Sequence, residues 1–238
     1  MKKIQDLRVK IFADGAKIDD FKALGSFPYI KGFTTNPSLM RKAGITDYES
    51  FIKEVLPIIG DKPISFEVIG DDFGEMKVQS LKLSKYGTNV YVKIPIMNTK
   101  GESSVPLIGD LIRSGVKVNV TAVLTMSQIN ELASVLVSGM PTVVSVFAGR
   151  IADTGIDPLP LMKEIKGILK AYKDVELLWA SPRELLNIYH AEKAGCDIIT
   201  VLPEILKKLN LVGYDLHSFS LDTVKMFFND AVSSGLSL

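Results

Sequence analysis

An α/β fold, a single-domain (β/α)8 TIM barrel with an extra C-terminal helix, is what this 238-residue sequence predicts, and three observations carry it. Eight short β-branched runs recur along the chain, most of them separated by stretches of helical period, an alternation that demands parallel strands joined by crossover helices. The length lies where one barrel usually sits, and 47% hydrophobic residues are enough to fill its core. Neither G-x-G-x-x-G nor a P-loop occurs. The turn after the first run, ADGAKIDD, has a lone glycine where an open doubly wound sheet would place its phosphate-binding turn.

Taken in order, the strands are expected at 9–14 (VKIFAD), 30–35 (IKGFTT), 64–70 (ISFEVIG), 89–96 (NVYVKIPI), 116–123 (VKVNVTAV), 142–147 (TVVSVF), 175–180 (VELLWA) and 196–203 (CDIITVLP). SQINELASVLVSG and PLMKEIKGILKAY typify the helical stretches between them. The whole chain, 1–238, reads as one barrel domain. Its last segment, 220–234, carries Leu221, Val224, Met226, Phe227, Phe228 and Val232, an apolar set wider than one helical stripe. This helix is expected to dock on its own barrel or on a neighbouring one, the second option making a homo-oligomer.

Composition narrows the partners. With 28 Lys plus Arg against 27 Asp plus Glu, the net charge of +1 supplies no field to draw in nucleic acid or an anionic membrane. At the N-terminus Asp6 and Arg8 interrupt before an apolar leader core can form, and no apolar run approaches the roughly 18 residues that span a bilayer. The expectation is a cytoplasmic protein acting on a small molecule. The lone Cys196 has no internal partner and sits in an apolar run as a buried residue, and two distant histidines make no metal cluster. No metal and no cofactor are expected.

Alternation along the strands sorts the side chains. Residues two apart share a face, so Tyr91 and Lys93 oppose Val90, Val92 and Ile94, and Asn119 and Thr121 oppose Val118 and Val120. The carboxyl ends of the strands, where barrel enzymes keep their active sites, would then present Asp14, Asn36, Glu67, Lys93, Thr121 and Ser145. A core built for stability alone would hardly gather two carboxylates and a lysine. Flanked by apolar residues, Lys93 is expected to have its pKa depressed from about 10.4 towards neutrality, which would make it a nucleophilic amine. The structural alternative is an ion pair with Glu67 or Asp14. Asp14 also reads as a cap for the first helix, and Thr121 as a core residue bonded to backbone.

Two loops read as anion sites. Ser181-Pro182-Arg183-Glu184 has the pattern of a helix start with Ser181 as N-cap, which would aim N–H groups and Arg183 at a phosphate, and Arg150 stands just beyond Phe147. Thr35-Asn36-Pro37-Ser38 starts another helix, with Asn36 as cap, as ligand for a substrate hydroxyl, or both.

Together these residues resemble the transaldolases, in particular the short group that includes fructose-6-phosphate aldolase. The matches are Thr34-Thr35-Asn36-Pro37-Ser38, Val92-Lys93-Ile94-Pro95, Asn119-Val120-Thr121, Phe147-Ala148-Gly149-Arg150-Ile151, Ala180-Ser181-Pro182-Arg183 and Ala194-Gly195-Cys196-Asp197, in family order over nearly the whole chain. The resemblance implies a cofactor-free enzyme of the pentose phosphate pathway in which Lys93 forms a Schiff base with a ketose phosphate and retains a dihydroxyacetone unit for transfer to an aldose phosphate. It implies Asp14 as general acid/base, and Glu67 and Thr121 as holders of the catalytic water. Asn36 and Ser145 would hold the dihydroxyacetone unit, with Thr35 and Phe147 as further substrate contacts, and Arg150 and Arg183 the phosphate, with Ser181 beside them. Glu67 and Phe147 stand where the related aldolases tend to carry Gln and Tyr, which favours a transferase over a lyase that releases dihydroxyacetone. A non-catalytic sugar-phosphate-binding barrel is the third reading. The chain departs from the family at Gly15-Ala16 and Pro182, and Thr99 to Val105 lengthens a mouth loop.

Overall fold

A computed structural model describes residues 3–235. Residues 1–2 and 236–238 of the expected 1–238 domain lie outside the described residues. Among those described, the elements are β1 (Lys10–Asp14), α1 (Ile18–Gly25), β2 (Ile30–Thr34), α2 (Pro37–Lys42), α3 (Tyr48–Ile59), β3 (Ile64–Glu67), α4 (Phe73–Leu83), β4 (Val90–Pro95), α5 (Val105–Arg113), β5 (Val118–Val123), α6 (Met126–Ala133), β6 (Thr142–Val146), α7 (Ala148–Asp153), α8 (Pro158–Leu169), β7 (Val175–Trp179), α9 (Leu186–Ala194), β8 (Ile198–Val201), α10 (Pro203–Leu206) and α11 (Leu216–Ser234). The strands pair in sequence order, all in parallel, and β8 closes on β1. The chain is therefore a (β/α)8 barrel with an added C-terminal helix, and all eight expected strands are present.

Strand parity divides the core in two. Ile11, Ala13, Phe33, Ile64, Phe66, Val92, Ile94, Val118 and Val120 belong to the large apolar layer between barrel and helices. Phe12, Val143, Leu178, Ala180 and Ile198 form a smaller cluster inside the barrel, with Tyr91 and Phe147 against it. Phe12 fits there because β2 carries glycine beside it: a Cβ on Gly32 would lie 2.6 Å from the Phe12 ring. At the amino-terminal end of the strands Lys10 pairs with Glu176, so the polar groups above the apolar plug face the other mouth.

Several local expectations change. The helix expected through SQINELASVLVSG stops at Ala133. The C-terminal helix begins at Leu216, capped by the Asp215 carboxylate accepting from the Ser218 N–H, four residues before the expected start. None of its residues is buried, and Val224, Phe227, Phe228 and Val232 are all at least 60% exposed. It therefore does not bury its apolar side on its own barrel. Among the described residues no helix is long and apolar enough to cross a membrane.

Candidate active site

The β3–β4 register sets Glu67 beside Lys93, and the β1–β2 register sets Asp14 beside Thr34. Lys93 is 6% exposed, and its Nζ lies 3.0 Å from Glu67 Oε2 and donates to the Thr35 carbonyl at 2.9 Å. Asp14 Oδ1 accepts from the Thr34 hydroxyl at 2.8 Å, and Thr34 Oγ1 touches Thr200 Oγ1 of β8. Burial raises the Asp14 pKa above its ordinary value; the Lys93 charge and the Thr34 hydrogen bond oppose the rise, and the Glu67 charge adds to it. One ammonium group thus serves two carboxylates at a partly buried site.

Asp14 is not a helix cap. Lys17 precedes α1 without a side-chain cap, and the Asp14 carboxylate is spent on Thr34 and the neighbouring charges. Asn36, by contrast, caps α2: its Oδ1 accepts from the Leu39 N–H at 3.0 Å. The second loop departs from the expected helix start. Ser181 has φ 57°, and α9 begins only at Leu186, so Ser181 caps nothing. Asn187 Oδ1 takes its place, accepting from the N–H groups of Arg183 and Glu184 at 2.7 and 3.2 Å. The local pattern is overruled by a tertiary contact, because Gly149 packs directly on the Ser181 carbonyl and fixes the chain there.

Around the lysine lies a second polar set. Ser145 donates to Asn119 Oδ1 at 2.6 Å, and Asn119 Nδ2 donates to Ser65 Oγ at 2.9 Å, all three buried. Thr121 follows on β5, where Ala122 adopts φ 60° and the β5–β6 register slips between Val120 and Val123. A left-handed alanine is strained by roughly 1–2 kcal/mol, and it falls where the β5–β6 pairing skips Thr121 before resuming at Val123 and Val146. The hydroxyls of Thr121 and Thr35 are buried with no hydrogen-bond partner. A buried hydroxyl without a partner is costly, and at a polar site it is a place for a water or a substrate oxygen.

The two arginines share one short helix as their mount. Arg150 is exposed on α7, its guanidinium 5.9 Å from the centre of the Phe147 ring. Arg183 pairs in a bidentate fashion with Asp153 at the end of the same helix, its Nε donating at 3.0 Å. Thr34, Ser65, Asn119 and Thr200 were not singled out as site residues by sequence reasoning. Their signal is the inward parity of each strand, which Asn119 shares with Thr121, together with a register that only the closed sheet supplies. Cys196 is buried, and burial pushes its thiol up to about 12, so it takes no part in this chemistry.

Solved barrels share the fold at low identity. Dihydrodipicolinate synthase from Rhodopseudomonas palustris superposes with a TM-score of 0.55 at 12% identity, covering 98% of this chain and 82% of that one. A 2,3-dimethylmalate lyase gives 0.56 at 11% identity, covering 98% and 86%. The sequence goes further than fold: residues 11–236 match the model of the family Transaldolase/Fructose-6-phosphate aldolase, and the chain belongs to that family. It is 36% identical over 203 residues to a probable transaldolase of Caldicellulosiruptor saccharolyticus, covering 84% of this chain and 89% of the relative. It is 31% identical over 226 residues to one of Streptococcus equi subsp. zooepidemicus, covering 94% and 99%.

Proposed function

We propose that the chain is a transaldolase that moves a dihydroxyacetone unit from a ketose phosphate, fructose 6-phosphate or sedoheptulose 7-phosphate, to an aldose phosphate through a Schiff base on Lys93. The observation that carries this reading is the buried Lys93 amine flanked by Glu67 at 3.0 Å, with the Asp14 carboxyl held beside the same charge. A pair kept for stability alone gains little, because desolvation cancels most of its attraction. Placed at the mouth of a barrel, the same group does chemistry.

The steps follow from the groups present. Glu67 receives the ammonium proton, and the free amine attacks the ketose C2 carbonyl to give a carbinolamine. Its hydroxyl takes that proton back from Glu67 and leaves as water, which occupies the space beside the Thr121 hydroxyl, and an iminium remains. Asp14 then takes the proton from the C4 hydroxyl, the C3–C4 bond breaks, and its electron pair moves into the iminium to leave an enamine. The aldehyde product departs. An acceptor aldehyde is attacked by the enamine carbon, its oxygen takes the proton back from Asp14, and water releases the new ketose. Asn36, Thr35 and Ser145 hold the retained unit; Arg150 and Arg183 hold phosphate, with Ser181 shaping the loop. Phe147 has no hydroxyl to protonate the enamine, so the intermediate waits for an acceptor.

The reaction needs no metal or cofactor, and it belongs with the cytoplasmic pentose phosphate pathway. The apolar face of α11 supports assembly with further copies of the chain. The test is incubation with fructose 6-phosphate, with and without erythrose 4-phosphate, while glyceraldehyde 3-phosphate is quantified and Lys93→Met serves as control. Catalytic product only with acceptor is the expected result. Sustained product without acceptor would make the chain a lyase that releases dihydroxyacetone. If borohydride with substrate leaves no mass adduct on Lys93, the barrel only binds sugar phosphate.

A further inference from the structure

We infer that Thr200 is a positioning residue which, through Thr34, keeps the Asp14 carboxyl hydrogen-bonded in both its ionised and its neutral form. The inference rests on Asp14 being the group that exchanges the proton of the sugar hydroxyl.

β1 lies between β2 and β8, and each neighbour sends a threonine towards Asp14: Thr34 is the register partner of Asp14 itself, and Thr200 is the partner of Phe12 one inward position below. Thr34 Oγ1 is 2.8 Å from Asp14 Oδ1 and in contact with Thr200 Oγ1. A hydroxyl has one proton to donate. An ionised carboxylate only accepts, so while Asp14 is charged the Thr34 proton is committed to it and Thr34 accepts from Thr200. Once Asp14 carries a proton, that proton is donated to Thr34, and the Thr34 proton turns to Thr200. The chain reverses without any heavy atom moving.

Both hydroxyls are sealed from solvent, at 2% and 5% exposure, and Thr200 Oγ1 has no other hydrogen bond among the described residues. The pair is therefore dedicated to Asp14. The charged groups facing that carboxyl are Lys93 from β4 and Glu67 from β3, while Asp20 of α1 lines the same small cavity behind the strand end. Neither Lys93 nor Glu67 hydrogen-bonds the Asp14 carboxyl among the described residues: Lys93 Nζ sits on Glu67 Oε2 and the Thr35 carbonyl.

The experiment compares Thr200→Val, Thr200→Ser and Asp14→Asn in the acceptor-dependent assay over a range of pH. The acid limb of kcat/KM reports the carboxyl of the free enzyme. In Thr200→Val the Thr34 bond to the carboxylate loses its polarising donor, so this limb moves up by roughly 0.2–0.6 pH unit. A fall in kcat of about three- to tenfold with KM within twofold is expected to accompany it. Thr200→Ser, which keeps the hydroxyl, restores both; Thr200→Ala replaces the valine variant if that one does not fold. An unmoved limb in a folded variant, or a serine variant that behaves like valine, overturns the inference. Asp14→Asn distinguishes the two assignments: if it stays as active as the wild type, the role given to Asp14 is wrong, whereas an inactive Asp14→Asn beside an unmoved Thr200→Val limb condemns the relay alone.

Discussion

Gly149→Ala isolates the contact between α7, which carries Arg150, and the Ser181 loop that leads to Arg183. An ideal Cβ on Gly149 lies 1.5 Å from the Ser181 carbonyl oxygen and 2.6 Å from its carbon. Ordinary contact requires about 3.5 Å, so one loop must retreat by about 2 Å. The obstruction is backbone, and it is held from both sides. Gly149 N–H donates to the Ala180 carbonyl at 3.3 Å, and Ser181 is already in the left-handed region. Overpacking of this kind costs about 1–3 kcal/mol, and because the atoms concerned are main chain the upper end is expected. For a chain of this size that corresponds to a fall in Tm of roughly 6–12 °C. Retreat of the Ser181 loop also carries Arg183 away from Asp153 and from Arg150. A misplacement of 1 Å can cost about a hundredfold, so kcat/KM for fructose 6-phosphate is expected to fall by at least that factor, chiefly through KM. Calorimetry and steady-state kinetics on the purified variant measure both. A variant with wild-type Tm and wild-type KM would refute the claim that this close approach sets the two loops.

Three further perturbations probe other parts of the molecule. Asp14→Asn removes a carboxyl whose folded-state pKa is raised above 3.8, mainly by burial. Such a group supports the fold fully only below its unfolded pKa and loses that support as pH rises through the folded value. The variant is thus expected to melt higher than wild type at pH 7, by about 1.4 kcal/mol for every tenfold by which burial weakens the acid, with the gain vanishing below about pH 4 even though activity is lost. A variant that melts lower at pH 7 would show that the Lys93 charge outweighs burial. Paired changes on α11, Val224→Asp with Phe228→Asp, are expected to convert an oligomer into a species near 26.1 kDa in sedimentation; an unchanged sedimentation coefficient would remove α11 from the interface. Cys196, with its thiol pushed up to about 12, should react with a thiol reagent at about pH 8 only at the rate of unfolding, whereas rapid labelling of the native protein would contradict its burial.

Most of the fold was legible because barrel strands announce themselves twice, by β-branched runs and by polar residues at alternate positions. The helices between them were less well bounded. SQINELASVLVSG keeps an apolar period to its end, yet the chain leaves the helix at Ala133, ahead of Val135 and Val137, whose branched side chains favour other conformations. The C-terminal helix was legible as carrying an apolar set wider than one stripe, but that this set stays unburied on its own barrel shows only in three dimensions.

The site divides in the same way. Lys93, Glu67 and Asp14 were legible because charge in an apolar strand is costly and so conspicuous, and Asn36 was legible because a cap followed by proline is a local signal. Ser181 was misread for the complementary reason: its neighbours spell a helix start, but the conformation there is decided by a glycine on α7, far off in the sequence. Thr34 and Thr200 belong to neither class. A threonine in a strand is unremarkable in sequence, and it acquires meaning only when barrel closure places β8 against β1 and so lets two hydroxyls meet behind one carboxyl. Closure therefore completes the hydroxyl chain: without the β8–β1 seam Asp14 would keep the Thr34 hydroxyl of β2 and lose only Thr200 behind it, while Lys93 and Glu67, paired across β3 and β4, would stay in place.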